Sequence, residues 1–317
     1  MSVSKFFKPK PKPKNNGRTP RMKIAEETLD AIEEGSYTLN GTPHPFDIER
    51  LKRDTKYYAP DSLLSNWRNP STSAGNSSGK TETSLLEIRT LEGARYLASN
   101  LPSGSRDSIG ILNFASAKKP GGGFLTGAQA QEESIARSST LYPSLMTNVA
   151  QTFYSYHKLR AQNFHYSHAM IYSPGVTIFR DDDGGWLEPL DVDVLTSPAV
   201  NAGEVRQRMK DPEWMKGSDS ESGVEEKIEK EMTERMARIL YLFEIKGAKN
   251  IVLGSYGTGV FQNKVEMVAR LWAELLLVPN ARFLNSFDRI VFAVVGGGTF
   301  ETFNDVFKVY GHGTAGS

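Results

Sequence analysis

Short apolar runs alternate with amphipathic stretches along most of the chain. Consecutive apolar residues predict five buried strands: Ile109–Phe114, Ala169–Ile171, Val192–Leu195, Ile251–Leu253 and Ile290–Val295. Hydrophobic residues at helical spacing predict two long helices and a last helix that opens at Thr299; the long ones cover Val224–Ile245 and Val265–Leu277. Strands that alternate with helices are typical of α/β domains, in which helices cover a central, largely parallel or mixed sheet.

Before the first strand, the sequence predicts helices and one polar loop. Thr19 and Pro20 form the start signal of a helix that ends at Gly35. Residues 70–83 are almost all Ser, Thr, Gly and Asn, which predicts a surface loop or linker. A second helix is expected next, on the spacing of Leu85, Ile88, Leu91 and Leu97. We therefore expect three parts: a tail over 1–18, a helical region over 19–105 and a core over 106–312.

The net charge of +1 conceals an uneven distribution. Residues 1–23 contain eight Lys and Arg and no acid, whereas the rest of the chain has 30 basic and 37 acidic side chains. Residues 1–18 combine Lys with Pro and few apolar side chains, which predicts an extended, solvated tail. The tail is either a solubilising leader or a segment for nuclear import or nucleic-acid binding, in which residues 5–23 contact phosphates without sequence preference.

Composition also excludes several classes of protein. Without cysteine the chain has no disulfide, no thiolate nucleophile and no Cys-ligated metal. His165 and His168 lack companion ligands, so zinc is not expected, and Asp181–Gly184 lacks the spacing of a calcium loop and predicts a solvated turn. No apolar run is long enough for a bilayer, and the N-terminal lysines precede no signal-peptide core. We expect an intracellular protein without membrane contact, in the nucleus or the cytoplasm.

A Walker-like string occurs in the polar loop. Residues 74–81 read AGNSSGKT, close to a phosphate loop that ends in Lys80 and Thr81. Such a loop must leave a buried strand and enter a helix, so that its amides point at phosphate. The residues before this string form no strand pattern. We interpret it as a chance match in a Gly/Ser-rich loop.

The strongest chemical signal follows the first predicted strand. Three glycines come soon after it, and seven residues later a Gln-Glu-Glu triplet leads into a predicted helix, Ser134–Leu145; the residues are Gly121, Gly122, Gly123, Gln131, Glu132 and Glu133. Glycines permit positive φ and let N–H groups approach an anion. Neighbouring carboxylates can share a pocket at the first turn of a helix, although in a helix interior they point about 100° apart. The alternative is a flexible loop followed by acids that favour the helix dipole, and the pattern alone leaves both open.

A second glycine loop follows a later strand. It comprises Gly254, Ser255, Tyr256, Gly257, Thr258 and Gly259, with Val260 and Phe261 next. The loop has neither the lysine of a phosphate loop nor the spacing of a dinucleotide fingerprint. Two such loops after two strands suit a ligand with two phosphates at the carboxyl edge of a sheet. Phe261 could stack on a ribose or base, although a core position is the commoner fate of a phenylalanine.

The two loops belong to a longer resemblance. The GGG-x7-QEE string, preceded by Asn113-Phe114-Ala115-Ser116, resembles the signature of bacterial-type poly(ADP-ribose) glycohydrolases, a macrodomain family also found in fungi. Three further blocks resemble the family in the same order: Tyr172–Val176 with Phe179–Gly184, Val192–Ala199, and Gly257–Phe261. The similarity runs from about Met22 to the last helix. Residues 262–264, Gln-Asn-Lys, depart from the Arg-Asn-Asp-like stretch of related sequences, at the rim of the ligand site.

The resemblance implies a three-layer α/β/α macrodomain with a mixed central sheet and an N-terminal helical extension. It further implies that the glycine loops surround the diphosphate of ADP-ribose and that Phe261 lies near the distal ribose. Glu133 is then the acid that protonates the departing oxygen and, as a carboxylate, activates water, while Glu132 helps to fix the distal ribose. The implied substrate-binding set adds Asn113 and Gln131 to the glycine loops. No metal or nucleotide cofactor is expected, and we expect a monomer.

The expected function is hydrolysis of the ribose–ribose bonds of poly(ADP-ribose). Two alternatives remain open at the level of the sequence. One is a hydrolase for single ADP-ribose units on protein or nucleic acid, which the basic tail makes relevant. The other is a non-catalytic ADP-ribose reader, against which the Glu132–Glu133 pair argues, because binding alone requires no carboxylate beside the scissile bond.

Overall fold

The computed structural model of the protein describes residues 19–69, 81–102, 108–160, 163–208 and 221–310. The predicted tail over 1–18 lies outside these ranges, as do residues 74–80 of the Walker-like string.

Within the described residues, nine strands form a hairpin and a seven-stranded sheet. The hairpin consists of β1 (Ser36–Leu39) and β2 (Thr42–Pro45). The strands of the sheet are β3 (Lys56–Tyr58), β4 (Glu82–Leu86), β5 (Ile109–Phe114), β6 (Met170–Arg180), β7 (Trp186–Ser197), β8 (Asn250–Gly254) and β9 (Arg289–Ala293). Their order is β3-β6-β7-β5-β8-β9-β4. The pairs β3–β6 and β6–β7 are antiparallel and the pairs from β7 to β4 are parallel, so the sheet is mixed.

The same residues form ten α-helices: α1 (Pro20–Glu34), α2 (Ile48–Asp54), α3 (Thr90–Ser99), α4 (Gln131–Ser138), α5 (Leu141–Leu145), α6 (Asn148–Leu159), α7 (Ala202–Arg208), α8 (Glu221–Ile245), α9 (Val265–Leu276) and α10 (Gly297–Tyr310). Helix α1 begins and ends as the sequence predicts. The Thr19 hydroxyl accepts a hydrogen bond from the Met22 N–H, and Gly35 ends the helix at φ +76°.

Helices cover both faces of the sheet. In β8, Ile251 and Leu253 pack into a core with side chains of α8, α9 and α10. Val252, between them, packs into a second core with side chains of α3, α4 and α6. Because successive strand residues point to opposite faces, a strand that is buried throughout reads as a continuous apolar run. The predicted three-layer α/β/α architecture with a mixed sheet is confirmed.

The prediction of a helix at Leu85 is wrong. Residues Glu82–Leu86 are the edge strand β4, in which Leu85 and Leu86 pair with Phe292 and Ala293 of β9. Leu85 and Leu86 pack into opposite cores, which is the period of a strand. Helix α3 begins only at Thr90. The three-residue spacing of leucine and isoleucine imitated a helix because the strand that pairs with this segment lies about 200 residues later in the sequence.

The region 19–105 is therefore not only helical. It contains β1 to β4, and β3 and β4 form the two edges of the central sheet. The sheet thus includes strands from both sides of the predicted boundary at residue 106.

The predicted helix Ser134–Leu145 is divided in two. Helix α4 ends at Ser138 and α5 begins at Leu141. Between them, the Thr140 N–H donates to the Thr177 carbonyl (3.0 Å), and the Thr177 N–H donates to the Thr140 hydroxyl (2.9 Å). Pairing with β6 thus replaces the hydrogen bonds that a continuous helix would need.

Candidate active site

A cleft of about 790 Å³ lies at the carboxyl edge of the parallel strands. Both glycine loops line it, together with the first turn of α4 and the beginning of α3. The carboxyl ends of β5, β8 and β9 meet at this edge because these strands are parallel neighbours. The two motifs, more than 120 residues apart in sequence, are therefore two walls of one cleft.

Gln131 anchors the first turn of α4 to the sheet. Its side-chain carbonyl accepts the Phe114 N–H (2.8 Å), and its amide donates to the Leu112 carbonyl (2.6 Å) and the Thr90 hydroxyl (3.1 Å). With both ends of the amide engaged, Gln131 positions the two glutamates that follow it.

Glu132 is buried and is held through both carboxylate oxygens. Oε2 accepts the Ser116 N–H (2.7 Å), and Oε1 accepts the amide of Asn113 (3.3 Å). Burial raises the pKa of the Glu132 carboxyl from an ordinary 4.5 to about 8. The N–H groups of Ser116, Asn113 and Gly121 oppose this rise, and the nearby charge of Glu133 adds to it.

Glu133 turns toward the first glycine loop. Its Oε1 accepts the Gly123 N–H (2.8 Å), and Oε2 makes no hydrogen bond within the described ranges. A Cβ on Gly122 would lie 2.2 Å from Glu133 Oε1 and 3.2 Å from Glu132 Oε2. Both carboxylates therefore approach the backbone of Gly122, which only glycine permits at this φ of +60°.

The N–H groups of the first loop are already in use. The Gly123 N–H donates to Glu133 (2.8 Å) and the Gly122 N–H donates to the Lys119 carbonyl (3.0 Å), while the Gly121 N–H lies near Glu132 and helps to lower the pKa of its carboxyl. The first loop thus contacts Glu133 within the protein, and the diphosphate contact that the family resemblance implies for this loop stays a prediction.

The second loop leaves its amides unengaged. In the described part of the chain, the N–H groups of Gly257, Gly259, Val260 and Phe261 donate to no protein acceptor. The loop is fixed from behind, since the Asn263 amide donates to the carbonyls of Gly257 (3.0 Å) and Val200 (2.8 Å). Successive free N–H groups around a glycine at positive φ, here Gly257 at +74°, form an anion-binding concavity.

Four predicted substrate-binding residues do not line the cleft. Asn113 is fully buried behind Glu132, and Gly121 packs against Phe124. Gly254 is buried in β8, where a Cβ would lie 2.5 Å from the Ala293 carbonyl. Tyr256 is buried and donates to the Ser197 hydroxyl (3.0 Å). The other predicted residues line it: Gly122, Gly123, Gln131, Glu132, Glu133, Ser255, Gly257, Thr258, Gly259, Val260 and Phe261.

Residues 25–181 match the family described as microbial-type PARG, catalytic domain. The crystal structure of poly(ADP-ribose) glycohydrolase (PARG) from Thermomonospora curvata is 36% identical, with a TM-score of 0.78 over 92% of this chain and 100% of that one. The chain belongs to the microbial-type PARG family. The resemblance noted in the sequence is thereby confirmed. No curated protein matches the sequence.

Solved PARG structures with ligands are also similar to this chain. PARG from Thermomonospora curvata bound to the inhibitor ADP-HPD is 37% identical, with a TM-score of 0.75 over 91% of this chain and 99% of that one. PARG from Deinococcus radiodurans in complex with ADP-ribose is 31% identical, with a TM-score of 0.69 over 86% of this chain and 99% of that one. The family match ends at residue 181, before the second glycine loop, whereas the structural similarity extends over 92% of this chain.

Several residues of the cleft were not found from the sequence. Tyr166 reaches the cleft from the segment before β6 and lies 5.8 Å from the Phe261 ring, centroid to centroid. Asp182 also lines the cleft, with a side chain only 7% exposed, although the sequence placed it in a solvated turn. Arg89, Lys118 and Lys119 line it as well. The lysines stood within the recognised signature and could have been found there, whereas Tyr166 has no signal in the sequence.

Two further features of the structure concern metal binding and membrane crossing. Within the described ranges, no group of three or more His, Asp or Glu side chains could hold a metal ion. His168 lies 3.2 Å from Glu231. No helix in those ranges has the length and apolar character needed to cross a membrane.

Proposed function

We propose that this chain hydrolyses the ribose–ribose bonds of poly(ADP-ribose) and releases ADP-ribose. The observation that carries the proposal is that the two glutamates beside Gly122 differ in how their carboxylate oxygens are hydrogen-bonded. Glu132 has both oxygens engaged, whereas Glu133 is half-buried at the cleft with one oxygen unengaged within the described chain. The membership of the family and the ADP-ribose and ADP-HPD complexes of solved PARG structures support the same reaction.

In this proposal, Glu133 moves the protons. Its unengaged Oε2 protonates the oxygen that leaves the anomeric carbon, while positive charge develops on the sugar. The resulting carboxylate then takes a proton from the water that completes the hydrolysis. The Gly123 N–H fixes the other oxygen, so the carboxyl group keeps one orientation through both steps.

The remaining residues bind and orient the substrate. The free amides of the second loop, from Gly257 to Phe261, bind the diphosphate of the terminal ADP-ribose unit. Glu132 forms a hydrogen bond with the distal ribose. Its carboxyl group is kept from rotating by the hydrogen bonds that it accepts from Asn113 and Ser116. Phe261 and Tyr166 stand together beside this ribose. Asn113 thus acts behind Glu132 and not on the substrate.

The test compares release of ADP-ribose from three substrates: defined poly(ADP-ribose), protein with single ADP-ribose units, and DNA with single ADP-ribose units. Glu133→Gln should lower release from the polymer by about 10²- to 10⁴-fold, as expected for loss of a general acid. It should keep its affinity for ADP-ribose, because the diphosphate contacts lie on the other loop.

Each alternative function has its own outcome. Cleavage of one single-unit substrate and not of the polymer would make the chain a mono-ADP-ribosyl hydrolase. If DNA were that substrate, the basic residues 5–23 would be the natural nucleic-acid contact. Tight ADP-ribose binding without release from any substrate would make it a reader and would remove the proposed role of Glu133.

A further inference from the structure

Two cations stand at the mouth of the cleft on the wall of the first loop. Lys119 lines the cleft, is exposed and lies within 4.0 Å of no carboxylate in the described chain. Arg21, near the start of α1, donates to the side-chain oxygen of Gln129, which also lines the cleft. Arg21 too has no carboxylate partner in the described ranges. Lys118 differs, because its ammonium group lies over the Phe164 ring at 5.6 Å.

Both cations belong to segments that contact or precede Glu133. The Lys119 carbonyl accepts the Gly122 N–H (3.0 Å), and Gly122 abuts the Glu133 carboxylate. Gln129 precedes Glu133 by four residues, and the charges of Arg21 and Glu133 both act on Arg137. Lys119 therefore belongs to the loop that contacts Glu133, and Arg21 contacts the segment that leads into the Glu133 helix.

The leaving group must lie on this side. If the second loop holds the terminal diphosphate and Glu133 meets the scissile bond, the next ADP-ribose unit extends past Glu133 over the first loop. That unit carries a diphosphate with two negative charges. Lys and Arg side chains are the usual partners of phosphate oxygens. In the described chain, no carboxylate forms an ion pair with Arg21 or Lys119.

We infer that Arg21 and Lys119 bind the diphosphate of the ADP-ribose unit that follows the scissile bond. The inference rests on the proposed function, which places the scissile bond at Glu133. The packing of α1 is consistent with it, because Thr19 at the start of this helix lies against Gly127, in the turn after the first loop.

The test measures binding in the inactive Glu133→Gln background, so that turnover does not enter. The ligands are ADP-ribose and an oligomer of defined length. The double variant Arg21→Ala with Lys119→Ala should lower the oligomer affinity about tenfold and leave the ADP-ribose affinity unchanged. The salt dependence of oligomer binding should also weaken by about one logarithmic unit of slope for each cation removed. Lys158→Ala, at an exposed position near the end of α6, is the matched control and should change neither affinity.

Three results separate the possible failures. An equal loss for both ligands would mean that the cations bind the terminal unit, and no loss for either would mean that they bind no substrate; both overturn the inference. In the active enzyme, the double variant should raise KM for the polymer and leave kcat and the cleavage of single-unit substrates unchanged. If the active enzyme releases nothing from polymer while the oligomer affinity still depends on both cations, the proposed function fails and the binding site stands.

Discussion

The two glycine loops of the cleft look alike in sequence, but their backbone N–H groups have different partners in the structure. Each follows a buried strand, and each contains glycine at positive φ. The amides of Gly122 and Gly123 donate to the Lys119 carbonyl and to Glu133, whereas those of Gly259 to Phe261 are unengaged in the described chain. The partners of the backbone N–H groups therefore distinguish a loop that contacts an acid from the loop to which we assign the diphosphate.

The difference follows from what stands opposite each loop. The first loop faces the start of α4, which brings two glutamates to its amides. The second loop faces open cleft and is supported from behind by Asn263 and Ala199, neither of which is charged. Substitutions in the first loop should therefore affect catalysis, and substitutions in the second should affect binding.

Gly122→Ala should have the largest effect. The new Cβ would lie 2.2 Å from Glu133 Oε1, and alanine at φ +60° costs about 1–2 kcal/mol of folding free energy. We expect kcat on poly(ADP-ribose) to fall by at least about 100-fold, because Glu133, the proposed proton donor, must move. Steady-state kinetics and thermal unfolding measure the two effects.

The matched control is Gly259→Ala in the second loop. No atom lies within 4 Å of the Cβ position there, and its φ is not in the left-handed region. We expect nearly normal kcat and stability. Equal losses in the two variants would remove the distinction between the loops.

The next effect concerns the buried acid of the first loop. The pKa of Glu132 is about 8 in the folded protein and ordinary, near 4.5, in the unfolded chain. Between these values the folded state binds more protons, so this group lowers stability as pH rises from about 4.5 to about 8. In Glu132→Gln that loss is absent. In urea unfolding across this range, the free energy of unfolding of the variant should rise relative to that of the wild type, by on the order of a few kcal/mol at pH 8.

In Glu132→Gln, the N–H groups of the new side-chain amide also need a hydrogen-bond acceptor, and Asn113 offers one. Asn113 Oδ1 is buried without a partner in the described chain, so a rotated Asn113 amide could accept from the new side chain. A stability difference independent of pH would show that Glu132 is charged in the fold at pH 5.

Gly257→Ala should give a smaller and different effect. Alanine at φ +74° would place its Cβ 2.3 Å from the Ala199 Cβ, which displaces the free amides of the second loop. We expect the ADP-ribose affinity to fall about tenfold and kcat at saturating substrate to change little. Calorimetric titration with ADP-ribose, beside kinetics, checks both. A loss of kcat alone would contradict the assignment of this loop to binding.

The smallest effect is expected at the third glycine-rich string. Lys80→Ala alters the Walker-like sequence, which precedes β4 and lies outside the described residues except for Thr81. We expect unchanged release of ADP-ribose and no response to added ATP. A loss of activity in this variant would show that the third string, like the other two, serves the site.

The predictions from sequence succeeded where local pattern and tertiary contact agree. The strands Ile109–Phe114 and Ile251–Leu253 were found because both faces of these strands are buried, which leaves an apolar run. β6 and β7 were found only in part, since their 11 and 12 residues include polar positions that pair across a half-exposed hairpin. The strand at Leu85 was mistaken for a helix because its partner β9 is distant in the sequence.

The sequence by itself determined the α/β class, the family signature and the pair of glutamates at the start of a helix, because these depend on residue type and short spacing. Only the tertiary structure decided where the amides of each loop point, that Asn113 and Tyr256 stand behind the cleft, and that Arg21 meets the rim of the first loop. Hydrogen-bond direction and burial depend on what packs opposite a residue. That neighbour comes from another part of the chain, which no local pattern contains.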